Sequence, residues 1–194
     1  MKPLIGTLVV LASLALAQGH APVPISPESL RWVSPPNLSA LRSAVAEVSV
    51  GVLVLYPGIG ASAVRAMLRS TAPPMRGLVL EAFGEGNGPS DPDFLAVLSA
   101  ATADGVVLMD NTQVLAGAVN SGAYATGSGL ASAGALSAYD MTPESSLAKL
   151  VTLLSSGLSN QAVRTAMQQN LRGELTPPDE PAHTIALGAS QARV

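Results

Sequence analysis

Three short apolar runs, residues 49–55, 77–83 and 106–110, are separated by stretches of helical periodicity, and this alternation constrains the fold more than any other feature of the chain. The first run, SVGVLVL, is rich in valine and leucine and stops at Tyr56-Pro57-Gly58. Residues 61–70 follow, with Val64, Met67 and Leu68 spaced along one face of a helix. The second run, GLVLEAF, breaks into a loop carrying Gly84, Gly86 and Gly88. Asp91 then reads as an N-cap with Pro92 in the first turn, and Phe94, Leu95, Leu98 and Ala101 read as the buried stripe of the next helix. Gly105 ends that helix before VVLMD, the third run. Strands alternating with helices of about ten residues require right-handed crossovers, so the sequence predicts an α/β domain built on a small parallel sheet.

The remainder is organised more loosely. Residues 1–17 read as a signal peptide: one lysine, an uncharged apolar stretch, and Ala15-Leu16-Ala17 before Gln18. That reading places the protein in a secreted or periplasmic location, with no membrane association after leader removal. Residues 18–47 read as a linker or the remnant of an upstream domain, rich in proline and serine to about Pro36, with a short helix from about Leu38. The alanine- and glycine-rich stretch 118–138 suits close packing. Thr142-Pro143-Glu144 is a strong helix start, followed by Leu147, Leu150, Val151 and Leu154. Ser159 caps a last helix to about Leu171, and residues 179–194 read as a loose tail.

Composition and spacing exclude several chemistries. The net charge is −3 and the ten basic residues are scattered, so no basic face points to nucleic acid. Without cysteine there is neither a thiol nucleophile nor a thiolate metal site, and both histidines lie outside the expected core; no metal or other cofactor is expected. The loop spells G-x-G-x-G followed by Pro89, not the G-x-G-x-x-G of a dinucleotide site, and no lysine follows to make a phosphate loop. Ser146-Leu147-Ala148-Lys149 has S-x-x-K spacing, but the partner motifs S-D-N and K-T-G are absent, and Lys149 is expected to reach water from between core leucines. Glu81, inside an apolar strand, is expected to pair with an arginine.

Five segments in order carry a resemblance: LYPGIGASAVRAML, GLVLEAFGEGNGP, GVVLMDNTQVLAGAV, YATGSGLASAGALSAYDMTPESSLAKL and QNLRGELTPP. Together they resemble the C-terminal half of type I, cytosolic-type L-asparaginases, the family that includes the animal enzyme with lysophospholipase activity, over about Val50 to Pro178. The resemblance implies a small parallel sheet with helices on both faces, within residues 48–178. It also implies a dimer-forming surface and a loop lent to a neighbouring subunit's substrate. On that implication Asn87 and Gly86 lie at the substrate rim, with Tyr124 of Y-A-T-G beside them. Thr112 and Gln113 are the remnant of an effector site in which Glu81 and Val114 replace an arginine and a cysteine.

The departures from the family matter as much. The sequence contains neither the T-G-G-T motif of the nucleophilic threonine nor the H-G-T-D motif of its partner. Nucleophile, base and oxyanion donors act as a unit, so no catalytic residue is assigned. The expectation is an asparaginase C-terminal domain that is silent alone and is partnered by another copy or by a separate N-terminal half. The alternatives are an asparagine amidohydrolase completed by such a half, and a secreted module binding a small amide or amino acid. The resemblance also offers the cytoplasm as the alternative location.

Overall fold

The computed structural model describes residues 38–114, 118–119 and 129–176. The expected leader, most of the linker, the tail and Tyr124 lie outside the described residues. The elements run α1 (Leu38–Ala46), β1 (Ser49–Val54), α2 (Ala61–Arg69), β2 (Met75–Ala82), α3 (Pro92–Ala103), β3 (Val107–Thr112), α4 (Gly129–Ser132), β4 (Leu136–Ser137), α5 (Pro143–Ser155) and α6 (Asn160–Met167). All strand pairs are parallel, and the sheet order is β1-β2-β3-β4.

Sequential order explains how the helices divide. Successive parallel strands laid in one direction, each joined by a right-handed crossover, put their connecting helices on one face. On that face Val64 of α2, Phe94 and Leu98 of α3 and Leu130 of α4 close over Leu78, Leu80 and Leu108. The opposite face is covered by the two helices after the last strand: Leu150 and Leu154 of α5 and Val163 and Met167 of α6 pack on Val79, Val107 and Met109. The α5 helix passes so close to β2 that a Cβ on Gly77 would stand 2.7 Å from Leu150 Cδ2.

Local chemistry starts the helices where the sequence indicated. Asp91 Oδ1 accepts from the Phe94 amide at 2.8 Å, Thr142 Oγ1 from Ser145 at 3.2 Å and Ser159 Oγ from Ala162 at 3.3 Å. Two expectations need correction. The α6 helix ends at Met167 rather than Leu171, and β3 runs past Asp110 to Thr112 with all six of its residues buried. Polar residues read as the exit of a strand; here the sheet pairs Asn111 with Glu81 and Thr112 with Ala82, and the ladder continues.

Candidate functional site

At the carboxyl edge of β2 the glycine loop folds back on itself. Phe83 donates its amide to the Asn87 carbonyl at 2.7 Å, and its own carbonyl accepts from the amides of Asn87 (2.8 Å) and Gly86 (3.1 Å). Gly86 adopts φ +102°, which L side chains rarely adopt, and the space beside it is filled: a Cβ there would meet Val119 Cγ1 at 2.6 Å and Asp110 Oδ2 at 2.9 Å. The base of the loop is tied down by the Thr112 hydroxyl, which donates to the Gly84 carbonyl. Gly86 is therefore buried and Asn87 stands exposed at the end of a locked turn. An exposed carboxamide offers both a donor and an acceptor, the complement of an amide or an amino acid.

Thr112 and Gln113 serve the framework around this loop. Besides holding Gly84, the Thr112 hydroxyl accepts from the Val114 amide at 3.1 Å. Gln113 Nε2 donates to the carbonyls of Leu55 (2.7 Å) and Glu81 (2.6 Å), stitching the ends of β1 and β2 together. The expected Glu81–arginine pair is not formed: among the described residues the ion pair present is Lys149–Glu174, and Glu81 is half-buried on β2 opposite the exposed Val54. Period-two alternation puts Glu81 on the sheet face that α5 leaves uncovered at this end, so burial does not compel a partner.

The S-x-x-K segment is structural, though not in the expected way. Lys149 does not reach water. It is 9% exposed, and its Nζ lies 2.6 Å from Glu174 Oε1 and donates to the carbonyls of Met167 (3.1 Å) and Gln169 (2.5 Å). Ser146 is fully buried, with no partner for its hydroxyl among the described residues. Glu174 also accepts from the amides of Leu171 and Arg172, so the pair clamps the segment after α6 onto α5. Burial pushes the Glu174 carboxyl up, but the hydrogen bond and charge of Lys149 and the backbone amides outweigh it and hold it below the usual glutamate range.

Two residues near the loop were not singled out in the sequence as site residues. Asp110 is 2% exposed, its Oδ1 has no hydrogen-bond partner among the described residues, and burial raises its carboxyl from 3.8 to about 7. Beside it Asn111 is fully buried; its Nδ2 donates to the Met141 carbonyl at 3.0 Å and its Oδ1 has no partner among the described residues. An acid at the carboxyl end of a parallel strand was the available signal, because open α/β sheets place their ligands at that edge.

Comparison with known proteins agrees with this geometry. Residues 49–167 match the glutaminase/asparaginase C-terminal domain family. The chain is 48% identical to L-asparaginase 1 of Escherichia coli (strain K12) over 130 residues, 67% of this chain and 38% of that protein. It is 44% identical to the human 60 kDa lysophospholipase over 166 residues, 85% of this chain and 28% of that protein. The crystal structure of L-asparaginase I from Vibrio cholerae superposes with a TM-score of 0.61 at 50% identity, covering 66% of this chain and 37% of that one. The chain thus spans well under half the length of these relatives. Sequential parallel topology, the glycine loop at the sheet's carboxyl edge and the family match agree: this chain belongs to the glutaminase/asparaginase C-terminal domain family.

Proposed function

We propose that this domain supplies the substrate rim of an L-asparaginase-type amidohydrolase, presenting Asn87 to an asparagine held mainly by another domain or subunit. The observation that carries the reading is the locked turn at residues 83–87, which fixes the backbone and leaves the Asn87 carboxamide exposed. The family resemblance extends this reading to Tyr124, outside the described residues, and Thr112 and Gln113 act beneath the loop as framework rather than as an effector site. With neither threonine motif in the sequence, the 194 residues alone release no ammonia from L-asparagine.

A second reading, turnover after pairing with a chain that brings the threonine motifs, is favoured by an exposed apolar surface at the same sheet edge. Val52, Val54, Tyr56 and Val114 are all exposed there, beside the half-buried Glu81. Such a surface serves either a catalytic half or a second copy of this chain.

The test is ammonia release from L-asparagine by the purified chain, alone and mixed with a separately produced N-terminal half containing T-G-G-T and H-G-T-D. The chain alone gives no release above buffer. Where the mixture turns over, Asn87→Ala lowers its rate by about tenfold or more, as expected for loss of one contact worth about 1.4 kcal/mol in the transition state. Release by the chain alone, or a mixture indifferent to Asn87→Ala, contradicts the proposal.

A further inference from the structure

We propose that Asp110 is a proton-operated latch beneath the glycine loop: the uncharged carboxyl seats the turn at residues 84–87, and the carboxylate makes the turn open and admit water. Gly86 lies against the carboxyl, since a Cβ on that glycine would approach Asp110 Oδ2 to 2.9 Å, and Val119 closes the other side at 2.6 Å. Asp110 is 2% exposed and its Oδ1 is without a hydrogen-bond partner among the described residues.

Among the described residues no cation comes within ion-pair distance of Asp110. The loop brings Glu85 and the start of α3 brings Asp91 and Asp93, Glu81 of β2 lies on the other sheet face, and α4, β4 and residues 118–119 have no ionisable side chain. Burial is the cause of the upward displacement of the Asp110 carboxyl, to about 7, so both forms are populated near neutrality. A buried carboxylate without a cation or donor is costly, and the cheapest relief is to let water in. The element above Asp110 is a short turn held mainly by its own hydrogen bonds and the Thr112 tether, whereas the elements beneath are paired strands. Opening therefore falls on the turn rather than on the sheet.

The consequence for Asn87 rests on the rim reading: if Asn87 faces substrate, its placement varies with pH. The latch itself does not depend on that reading, and the experiment needs no ligand. Amide exchange of the full chain is followed residue by residue across pH, with intrinsic rates corrected and the β2 amides of Val79 and Leu80 as internal reference. Protection at Gly86 and Asn87 is expected to fall by about tenfold or more between about pH 5.5 and about pH 8, reaching nearly unprotected exchange at about pH 8 while Val79 and Leu80 remain protected. Asp110→Asn, nearly isosteric and without charge, is expected to abolish the fall. Gly86→Ala, which drives a methyl against the carboxyl, is expected to leave the turn open and insensitive to pH. It serves equally well if Asp110→Asn does not fold. Gly86 and Asn87 amides that stay well protected at about pH 8 overturn the latch. So does an undiminished slope in Asp110→Asn, or wild-type protection and slope in Gly86→Ala.

Discussion

Asp110 and Glu174 are both carboxyls removed from water, at opposite faces of the same sheet, and their surroundings treat them in opposite ways. Glu174 meets Lys149 at 2.6 Å and two backbone amides, and its carboxyl is held below the usual range. Asp110 lies against Gly86 with no ion-pair partner among the described residues, and its carboxyl rises to about 7. The paired group fastens one part of the chain to another. The unpaired one sits at the carboxyl edge of the sheet, the edge at which open α/β sheets generally place ligands, and a perturbed, uncompensated acid there points to function rather than to stability.

The sharpest break of this comparison removes the pairing. Lys149→Ala leaves Glu174 buried without its cation and is expected to cost about 3–5 kcal/mol in urea unfolding, whereas Lys149→Met with Glu174→Leu recovers most of that loss. The paired carboxyl has a depressed folded value, so its contribution is present above the unfolded glutamate range and is lost as pH falls through the folded value. A double variant as unstable as the single one contradicts the assignment of the cost to an unpaired charge.

Asp110→Asn shows the opposite sign. Between 3.8 and about 7 the folded state holds a proton that the unfolded state has released, so wild-type stability falls as pH rises across that window and levels above it. Roughly three pK units at 1.36 kcal/mol each give an upper bound of about 4 kcal/mol gained by the variant at about pH 8, and almost nothing at about pH 4. Denaturant midpoints at the two pH values check this. An equal effect at both contradicts it.

Legibility in the sequence follows the range of each interaction. Strand runs and the Asp91, Thr142 and Ser159 caps depend on residues within three positions of one another, and they could be read directly. The glycine loop was legible for the same reason. The Lys149–Glu174 pair joins residues on either side of α6, and only the packing of that helix on α5 brings them together. Asn111 and Thr112 looked like a strand exit because local polarity carries no information about the neighbouring strand that buries them. Asp110 was visible as an acid, but its lack of a partner is a property of everything packed around it.

The smallest effect sharpens the loop side of the comparison. Thr112→Val removes the hydroxyl that donates to Gly84 and accepts from Val114, at a cost of about 1 kcal/mol. Thermal unfolding measures that cost, and an unchanged midpoint contradicts the tether.

The most direct measurement is a carboxyl-carbon NMR titration of the wild-type chain, which reports Asp110 and Glu174 in the same sample. Asp110 is expected to titrate near about 7, and Glu174 below the ordinary glutamate value of 4.5. An Asp110 carboxyl that titrates near its ordinary 3.8, or a Glu174 carboxyl displaced upward, would contradict the division between a charge that fastens the fold and one left free to respond.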